Sequence, residues 1–470
     1  MKKVLTLILL CAGLAVQAKD YNVRDFGAKG DGVAIDSPAI NAAIDKVAEN
    51  GGGTIVFPAG TYLSYSIRLK SNITFKLEKG AVIKAAKETA EVGYDLPEPN
   101  EWDMYQDFGH SHWKNSLIWG IGLENLKFIG EGMIDGTDVL SRGQARPGGP
   151  AEANKAIALK ECKNVTVTGL KFLNCGHFVF LFTGVDDLVI DHVTADTIRD
   201  AFDIDCCKNV KITNCYVNSL NDDGIVLKCS YGLGYAKATE NVLVENCHVS
   251  GYDPGTFIGG TFGKTITAAP DRDGPTGRIK LGTESNGGFI NITVKNCTFT
   301  HCRGLALETV DGARLENINV SGLKMKDIVN SPIYIRIGDR MRGPKDLPAS
   351  VARNITISDV TVEDADCRYA CIICGLPGNP VENVLLKNIS ISYKGGLTKN
   401  DFRTQNGANP FFLRNGGYPE PSAHGIQPAW GLSMSYAKGI RLENVTMTLQ
   451  QPDEREKIYL GPEVEDFEWE

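Results

Sequence analysis

The sequence lacks three features, each of which would point to a class of function. Its 49 Lys and Arg against 57 Asp and Glu give a formal net charge of −8, which disfavours binding to nucleic acid or to an anionic membrane surface. After Val16, no run approaches the roughly 18 apolar residues of a membrane span. His110-Ser-His112 has no nearby cysteine and no H-E-x-x-H pattern, so it does not define a zinc site. We therefore expect no metal, cofactor, nucleic acid or membrane partner.

The first 18 residues have the pattern of a secretory signal. Lys2 and Lys3 precede an apolar run from Val4 to Val16, and Val16-Gln17-Ala18 is an A-x-A-like cleavage site. Residues 1–18 are thus predicted to be removed, and residues 19–470 to form one domain of an exported protein, periplasmic or secreted. The oligomeric state is left open.

A short strand-like pattern recurs along most of the chain. A turn residue, most often Asn, precedes alternating apolar residues in eleven copies: NITFKL (72–77), NLKFIG (125–130), NVTVTGLKF (164–172), DLVIDHV (187–193), NVKITNCYV (209–217), NVLVENCHV (241–249), NITVKNCTF (291–299), NINVSGLKM (317–325), NITISDVTV (354–362), NVLLKNISI (383–391) and GIRLENVTM (439–447). Repeated strands with loops of varying length between them indicate an all-β solenoid. The usual crossover rule makes it a right-handed parallel β-helix.

One helical segment precedes these repeats. Ser37 and Pro38 are typical of a helix start, and Gly51-Gly-Gly53 follows its predicted end near Glu49. Its apolar residues recur at helical spacing on one face. We expect this short helix to cover the open apolar end of the first coil.

Cysteines recur within the repeats. Cys215, Cys247 and Cys297 each follow Asn in the same local pattern. Equivalent positions of a solenoid stack inside the core, where cysteine behaves as a small hydrophobe. We therefore expect mostly free thiols.

The densest group of acidic residues lies between Ile198 and Cys229. Five aspartates, namely Asp200, Asp203, Asp205, Asp222 and Asp223, separate short β-branched runs. Crowded carboxylates raise one another's pKa, so a fold that gathers them generally uses them for acid-base chemistry or for a metal. Because Asp200 and Asp222 are 22 residues apart, about one coil, we expect them to stack on neighbouring coils. Asp222 and Asp223 can share a site only at a bend, and Asn221-Asp-Asp-Gly224 is a turn sequence.

These motifs resemble those of family 28 glycoside hydrolases, the polygalacturonases and their relatives. Asp200-Ala-Phe-Asp203 corresponds to their N-T-D-G-[FI]-D motif, and Asp222-Asp223 to the aspartate pair on the next coil. DFGAKGDG (25–32), GGGTIVFPAGTY (51–62) and EGMIDG (131–136) extend the resemblance over nearly the whole chain. It implies an inverting hydrolase in which Asp222 is the general acid. Asp200 and Asp223 would hold and deprotonate the water, and Asp203 would contact the substrate.

The third and fourth motifs of that family are altered here. Thr276-Gly277-Arg278 stands where the family has G-H-G, and Ala306-Leu307-Glu308 where it has the R-I-K that binds the galacturonate carboxylate. A glutamate cannot bind a carboxylate as lysine does. Either Arg278 and Lys280 supply the positive charge, supported by Arg336, Arg340 and Arg342, or this subsite takes a neutral sugar such as rhamnose. The bidentate fork of arginine favours the first alternative. Glu284 and Glu308 are further candidates, either for binding sugar hydroxyls or for an unorthodox catalytic role.

Two histidines and several aromatic residues are further candidates for sugar binding. We expect His112, beside Trp113, at the rim of the cleft. His177 lies one coil before the aspartates and is either a cleft residue or a core residue. The long connections carry aromatic residues that suit stacking on sugar rings: Tyr94, Trp102, Tyr105, Trp113, Tyr231, Tyr235, Phe411, Phe412, Tyr418 and Trp430.

The sequence therefore predicts a glycoside hydrolase without cofactor that acts on pectic polysaccharide or oligosaccharide, with exo action on chain ends or a rhamnogalacturonan substrate as refinements. Two alternatives remain. One is a calcium-assisted polysaccharide lyase on the same fold, with the aspartates as metal ligands. The other is a carbohydrate-binding β-helix without catalytic activity. Fold alone does not choose between them.

Overall fold

The computed structural model describes residues 19–107, 110–141, 152–267, 274–401 and 417–470. Its strands pair in parallel along the whole described chain, each with the strand one coil before and one coil after. The predicted parallel β-helix is confirmed. No helix in these ranges is long and apolar enough to cross a membrane. The predicted signal, residues 1–18, lies outside the described residues.

The strands form three faces that enclose one core. The first face comprises Ile67–Arg68, Ile118–Ile121, Lys155–Lys160, Phe178–Thr183, Phe202–Asp205, Ile225–Cys229, Ile279–Ser285, Leu305–Thr309, Ile333–Ile337, Cys371–Cys374, Ala429–Ser435 and Glu456–Leu460. The second comprises Asp20–Asn22, Gly53–Phe57, Ile73–Leu77, Glu124–Gly130, Lys163–Thr168, Asp186–Asp191, Lys208–Thr213, Thr239–Glu245, Phe289–Lys295, Arg314–Ser321, Val351–Ala365, Val381–Tyr393, Ala437–Leu449 and Val464–Trp469. The third comprises Asp31–Ile35, Gly60–Ser64, Ala81–Ala85, Met133–Asp135, Lys171–Leu173, Thr194–Thr197, Tyr216–Ser219, His248–Ser250, Thr298–Cys302 and Lys324–Ile328. It joins the second at the long strand Val351–Ala365.

The first face differs from the second in what covers its outer side. In Lys208–Thr213 on the second face, Val210 and Ile212 are buried while their neighbours are exposed or half-buried, as expected for a strand with one side in water. In Ile225–Cys229 on the first face, every residue is buried. Chain segments therefore cover the outer side of the first face, and polar side chains enclosed there need partners.

Asparagines at one corner explain the repeated Asn of the sequence pattern. Asn209, Asn241 and Asn291 have φ of 57°, 56° and 57°, a left-handed conformation that Asn tolerates better than most residues. The amide of Asn241 donates to Asn209 and that of Asn291 donates to Asn241, both at 3.3 Å. Each coil thus ends in the same turn and bonds to the coil before it.

The predicted capping helix spans Ser37–Glu49 and buries Ile40, Ala43, Ile44 and Val47. Its N-cap is Asp36 rather than Ser37, and Asp36 makes no side-chain capping bond. Instead, its carboxylate accepts hydrogen bonds from the backbone N–H groups of Lys29 and Gly30 at 2.6 and 3.0 Å. All twelve cysteines of the described chain are free and buried, as expected from their stacked positions.

The asparagine corners give a stability prediction. Replacing Asn241 with Ala places an ordinary side chain at φ 56° and removes its ladder hydrogen bonds, which should cost about 1–2 kcal/mol. We expect the midpoint of urea unfolding to fall accordingly. Asn241→Gly should lose less, because glycine tolerates this φ. Asn319→Ala, at an exposed strand position, is the control. Equal effects of Asn241→Ala and Asn319→Ala would contradict the prediction.

Candidate active site

A cavity of about 300 Å³ opens on the outer side of the first face. Most of the residues that line it are charged: Asp107, His110, Arg199, Asp200, Asn221, Asp222, Asp223, Lys228, Thr276, Arg278, Gly282, Thr283, Glu284, Arg303, Tyr418 and Glu420. The three aspartates predicted to be catalytic therefore lie in one cavity, together with Arg278 and Glu284.

Two neighbouring coils bring the aspartates together. The register of this face is 23 residues, since Phe202 pairs with Ile225 and Asp203 with Val226. The backbone N–H of Ala201 donates to the carbonyl of Asp223 at 3.1 Å, so Asp223 stacks on Asp200. The expectation that Asp222 is the stacked residue is wrong, because the turn adds one residue to the 22-residue period of the second face.

Each of the three aspartates contacts a different cation. Asp222 accepts a hydrogen bond from Arg199 at 2.5 Å, and Asp223 accepts one from Arg278 at 2.8 Å. Asp200 lies 3.6 Å from the ammonium of Lys228. Asp200, Asp222 and Asp223 each offer one carboxylate oxygen, and these oxygens all lie within 4.8 Å of one another. The three fixed cations offset the repulsion that this grouping would otherwise cause.

The environment divides the aspartates into a proton donor and a permanent anion. Burial, followed by the charge of Asp200, raises the pKa of Asp222 to about 7. Burial also acts to raise the pKa of Asp200, but Lys228, His110 and Arg199 together outweigh burial and hold that pKa well below its usual range. At neutral pH the cavity thus holds a carboxyl that can donate a proton beside one that stays ionised.

Lys228 is the centre of a buried polar cluster below the aspartates. Its ammonium donates to Asp203 at 2.7 Å and lies 3.4 Å from Glu284. It also lies 2.7 Å from His110 Nε2. The other ring nitrogen of His110, Nδ1, lies 2.8 Å from Glu284. Burial alone would lower the pKa of Lys228, but the surrounding carboxylates raise it well above its ordinary value.

The predicted substrate residue Asp203 lies within this cluster, outside the cavity lining. It is fully buried, and burial raises its pKa to about 7. Asp203 binds Lys228, and it thereby positions the ammonium group that lies beside Asp200. Substrate contact by Asp203 is therefore not supported by its place in the fold.

An irregularity in the next strand delivers Glu284 to the cavity. Ile225–Cys229 pairs in register with Ile279–Ser285 as far as Leu227 and Leu281, but Cys229 then pairs with Ser285. Two extra residues on the second strand form a bulge, a common device for redirecting side chains beside active sites. Glu284 and Thr283 line the cavity at this bulge.

The altered third and fourth motifs lie on adjacent coils. Lys280 is in register with Ala306, and its ammonium lies 3.3 Å from the carboxyl of Glu308. It also donates to Thr283 at 2.9 Å and to the hydroxyl of Tyr418 at 3.1 Å. Glu308 is fully buried, and burial raises its pKa to about 7. Neither Lys280 nor Glu308 lines the cavity. Lys280 instead holds the cavity residues Thr283 and Tyr418 in place, and Glu308 is its counter-ion.

The other predicted cleft residues lie elsewhere. Arg336 donates to Cys374 Sγ at 2.7 Å and to the carbonyl of Gly375 at 2.9 Å, outside the cavity lining. His112 is buried, with Nδ1 2.7 Å from the carbonyl of Glu98, so its expected place at the cleft rim is wrong. His177 is also buried, with its ring 4.3 Å from that of Phe178. One of its ring nitrogens lies within 4.8 Å of His110 and of Asp200, so His177 belongs to the buried polar group behind Asp200, outside the cavity lining.

The arginines and aromatic residues of the long connections are mostly structural. Arg340 donates to Asp107 at 2.8 Å, and so holds a cavity residue rather than facing the cavity. Trp113 is buried and donates to Thr183 at 3.2 Å. Of the aromatic candidates, Tyr418 lines the cavity. Phe411 and Phe412 lie outside the described residues.

Several cavity residues were not predicted from sequence, although two of them carry a signal. Lys228 is a charged residue inside the otherwise apolar run Ile225–Cys229, and Arg199 stands directly before Asp200. A charge in a strand that reads as fully buried requires a buried partner. Arg303 and Glu420 have no such local signal. They reach the cavity from distant parts of the chain, since Glu420 pairs with a residue 142 positions away.

Comparisons with known proteins agree with this architecture. Residues 21–141 match a family model described as "Rhamnogalacturonase A/epimerase, pectate lyase-like". Residues 151–269 match a model of the right-handed β-helix region. The handedness expected from the crossover rule is therefore confirmed.

Relatives and solved structures extend the likeness to most of the chain. A probable polygalacturonase of Vitis vinifera is 23% identical over 401 residues, 81% of this chain and 76% of that protein. The family 28 exopolygalacturonase of Yersinia enterocolitica has 16% identity and a TM-score of 0.67, covering 96% of this chain and 78% of that one. The exopolygalacturonase of Thermotoga maritima has 21% identity and a TM-score of 0.61, covering 80% and 87%.

The fold is a right-handed parallel β-helix, and its N-terminal part is similar to a pectate lyase-like family. More particularly, the chain is a polygalacturonase-like β-helix. The resemblance to family 28 glycoside hydrolases that its motifs indicated is confirmed.

The buried cluster gives a second stability prediction. Lys228→Met removes the cation shared by Asp200, Asp203 and Glu284 and leaves buried carboxylates without compensation, which should cost about 3 kcal/mol. The midpoint of urea unfolding should fall markedly. The matched control is Lys237→Met, where the lysine pairs with Asp186 at a half-buried site. It should cost less than about 1 kcal/mol. An equal loss in both variants would show that Lys228 is not the central counter-charge.

Proposed function

We propose that this protein is a glycoside hydrolase that cleaves bonds in pectic polysaccharide by acid-base catalysis. One observation carries the proposal: Asp200, Asp222 and Asp223 have carboxylate oxygens within 4.8 Å of one another, while their surroundings drive the pKa of Asp222 and that of Asp200 in opposite directions. A pair of carboxyls with separated pKa values is the arrangement that glycoside hydrolysis requires.

Asp222 is the general acid in this proposal. It is half-buried and lines the cavity, and its raised pKa leaves a proton on it near neutral pH. That proton passes to the glycosidic oxygen as the bond to the anomeric carbon breaks, so the leaving sugar departs as a neutral alcohol. The Arg199 contact at 2.5 Å orients the carboxyl and stabilises it after the proton has left.

Asp200 and Asp223 act on the water. Lys228, His110 and Arg199 keep Asp200 ionised, and Arg278 holds Asp223. These carboxylates accept hydrogen bonds from a water and take its proton as it attacks the anomeric carbon. Inverting enzymes commonly separate their carboxyl groups by roughly 6.5–9.5 Å, whereas the nearest oxygens here lie within 4.8 Å. Inversion therefore rests on the family resemblance, and carboxyl separation does not support it.

The substrate class follows from the relatives. The similar proteins are named as polygalacturonases, two of them exopolygalacturonases. One matching family model is named for rhamnogalacturonase. These names support a pectic substrate, with action on chain ends and on rhamnogalacturonan as the two refinements to test. We also propose that the protein is exported to the periplasm or the medium, where it would meet such a polymer. This part of the proposal rests on the signal-like sequence of residues 1–18.

A calcium-assisted lyase is the second candidate, because Asp200, Asp222 and Asp223 could each give one oxygen to a metal ion. Calcium is bound by six to eight oxygens and no nitrogen. In this cavity Arg199, Lys228 and Arg278 already contact the three carboxylates. Those fixed positive charges repel a divalent cation, and hydrolysis is therefore favoured. A carbohydrate-binding β-helix without catalysis would not need a carboxyl whose pKa is raised to about 7.

Replacing the general acid tests the hydrolase directly. Asp222→Asn keeps the shape of the side chain but cannot donate an acidic proton, and kcat on the best pectic substrate should fall by about 10²–10⁴-fold. New reducing ends are the measurement. The matched control is Asp253→Asn, an aspartate that caps the backbone N–H groups of Thr265 and Ile266 away from the cavity. Unchanged activity in Asp222→Asn would refute the assigned role.

The pH profile gives an independent test of the same role. Asp222 is active only while protonated, and its pKa is raised to about 7. Activity should therefore decline as pH rises through about 7. No matching decline from Asp200 is expected between pH 4 and 7, since its pKa is held well below its usual range. A rate that rises through pH 7 would contradict this assignment.

Product chemistry separates the hydrolase from the lyase. Hydrolysis yields reducing ends without ultraviolet absorbance, whereas a lyase yields unsaturated products that absorb. We expect reducing ends alone on polygalacturonate or rhamnogalacturonan, unchanged by a chelator. Absorbance that is lost with EDTA and restored by Ca²⁺ would establish the lyase instead.

A further inference from the structure

The basic end of the cavity is filled by a carboxylate of the protein itself. Glu420 is only 5% exposed, and both terminal nitrogens of Arg278 donate to its carboxylate. Arg303 lies 3.2 Å and Lys280 3.9 Å from the same carboxylate. Three cations from the first face and its adjoining turns thus converge on one acidic side chain.

Packing fixes Glu420 in this position. The 3₁₀ helix Pro421–His424 follows it directly, and the backbone N–H of Ala423 donates to the carbonyl of Glu420 at 2.9 Å. His424 is buried, with Nε2 2.9 Å from the hydroxyl of Tyr334 on the strand Ile333–Ile337. Glu420 is therefore preorganised, rather than a surface side chain that happens to meet an arginine.

Glu420 also takes part in the pairing of charges at this end. The cations Arg278, Lys280 and Arg303 contact the carboxyl groups of Asp223, Glu308 and Glu420. Without Glu420, both terminal nitrogens of Arg278 would lose the carboxylate to which they donate. An arginine fork pairs with a planar carboxylate by two parallel hydrogen bonds. Glu420 makes that arrangement with Arg278, so it occupies the position in which a carboxylate of a substrate would bind.

We infer that Glu420 is a specificity-determining residue that makes this end of the cavity select a neutral sugar over a uronic acid. A uronate here would meet the carboxylate of Glu420, which already binds both terminal nitrogens of Arg278. A neutral sugar would instead donate its hydroxyls to Glu420 and lie beside Tyr418, which is 48% exposed. The inference rests on the proposed function in taking a pectic sugar as the occupant.

The test compares two sugars that differ at one carbon. Galacturonate and galactose share their ring and ring hydroxyls, but only galacturonate carries a carboxylate. Calorimetric titration should show that the wild-type protein binds galactose at least as tightly as galacturonate. In Glu420→Gln, the preference should move toward galacturonate by about tenfold, the value of one charge-assisted hydrogen bond. This gain should shrink as salt is added, because salt screens charge pairs.

Glu316→Gln is the matched control. Glu316 is likewise buried and paired with two arginines, Arg353 at 2.6 Å and Arg314 at 3.5 Å, but lies outside the cavity lining. It should leave the sugar preference unchanged. A shift of at least about threefold toward galacturonate in Glu420→Gln alone supports the inference, and a smaller shift overturns it. If Glu420→Gln does not fold, the wild-type preference decides, and tighter binding of galacturonate overturns the inference.

Binding of a monosaccharide requires no turnover, so this result is independent of the Asp222→Asn experiment. Failure of that experiment removes the hydrolase and leaves the sugar preference measurable. If hydrolysis is found, the ratio of kcat/KM for polygalacturonate to that for rhamnogalacturonan should rise in Glu420→Gln. If neither this kcat/KM ratio nor the binding preference between galactose and galacturonate changes in Glu420→Gln, then Glu420 does not select the substrate.

Discussion

Carboxylates on neighbouring coils of a parallel β-helix are held about 4.8 Å apart by the strand spacing, and like charges at that distance need cations fixed among them. This requirement explains much of the site. Arg199, Lys228 and Arg278 each take one of the three aspartates. Lys228 also contacts Asp203, Glu284 and His110, which form the buried polar cluster around it. The buried polar residues named here are thus all needed, directly or indirectly, to neutralise the three clustered aspartates.

The unequal distribution of these cations is what gives the site its chemistry. Asp200 lies in the interior near Lys228 and stays ionised. Asp222, in the turn, has its pKa raised by burial and by the charge of Asp200. Two chemically identical side chains therefore differ in protonation at neutral pH, as the division of labour between acid and base requires. The extra residue in the turn, which moves Asp222 out of stacking register, helps to place them in different environments.

The same balance of charges links catalysis to substrate choice. Arg278 contacts Asp223 on one side and Glu420 on the other. The cation that holds Asp223, which we propose to act on the water, is therefore also the cation to which a substrate carboxylate would bind. Glu308, which replaces the lysine of the family motif, lies against Lys280 rather than in the cavity. Glu308 therefore affects substrate recognition only indirectly, by offsetting the positive charge of Lys280.

The sequence by itself determined the solenoid, its capping helix and the group of three aspartates. Apolar alternation after each corner Asn is a local signal, and Asp200, Asp222 and Asp223 lie close enough in sequence for one coil to bring them together. Only the tertiary structure decided which residues surround them. His110 meets Lys228 across 118 residues and Glu420 meets Arg278 across 142, separations set by loop paths that no periodicity encodes. His112 and Arg336 were misplaced for the same reason, because residue type gives the chemistry of a side chain but not the partner that it finds.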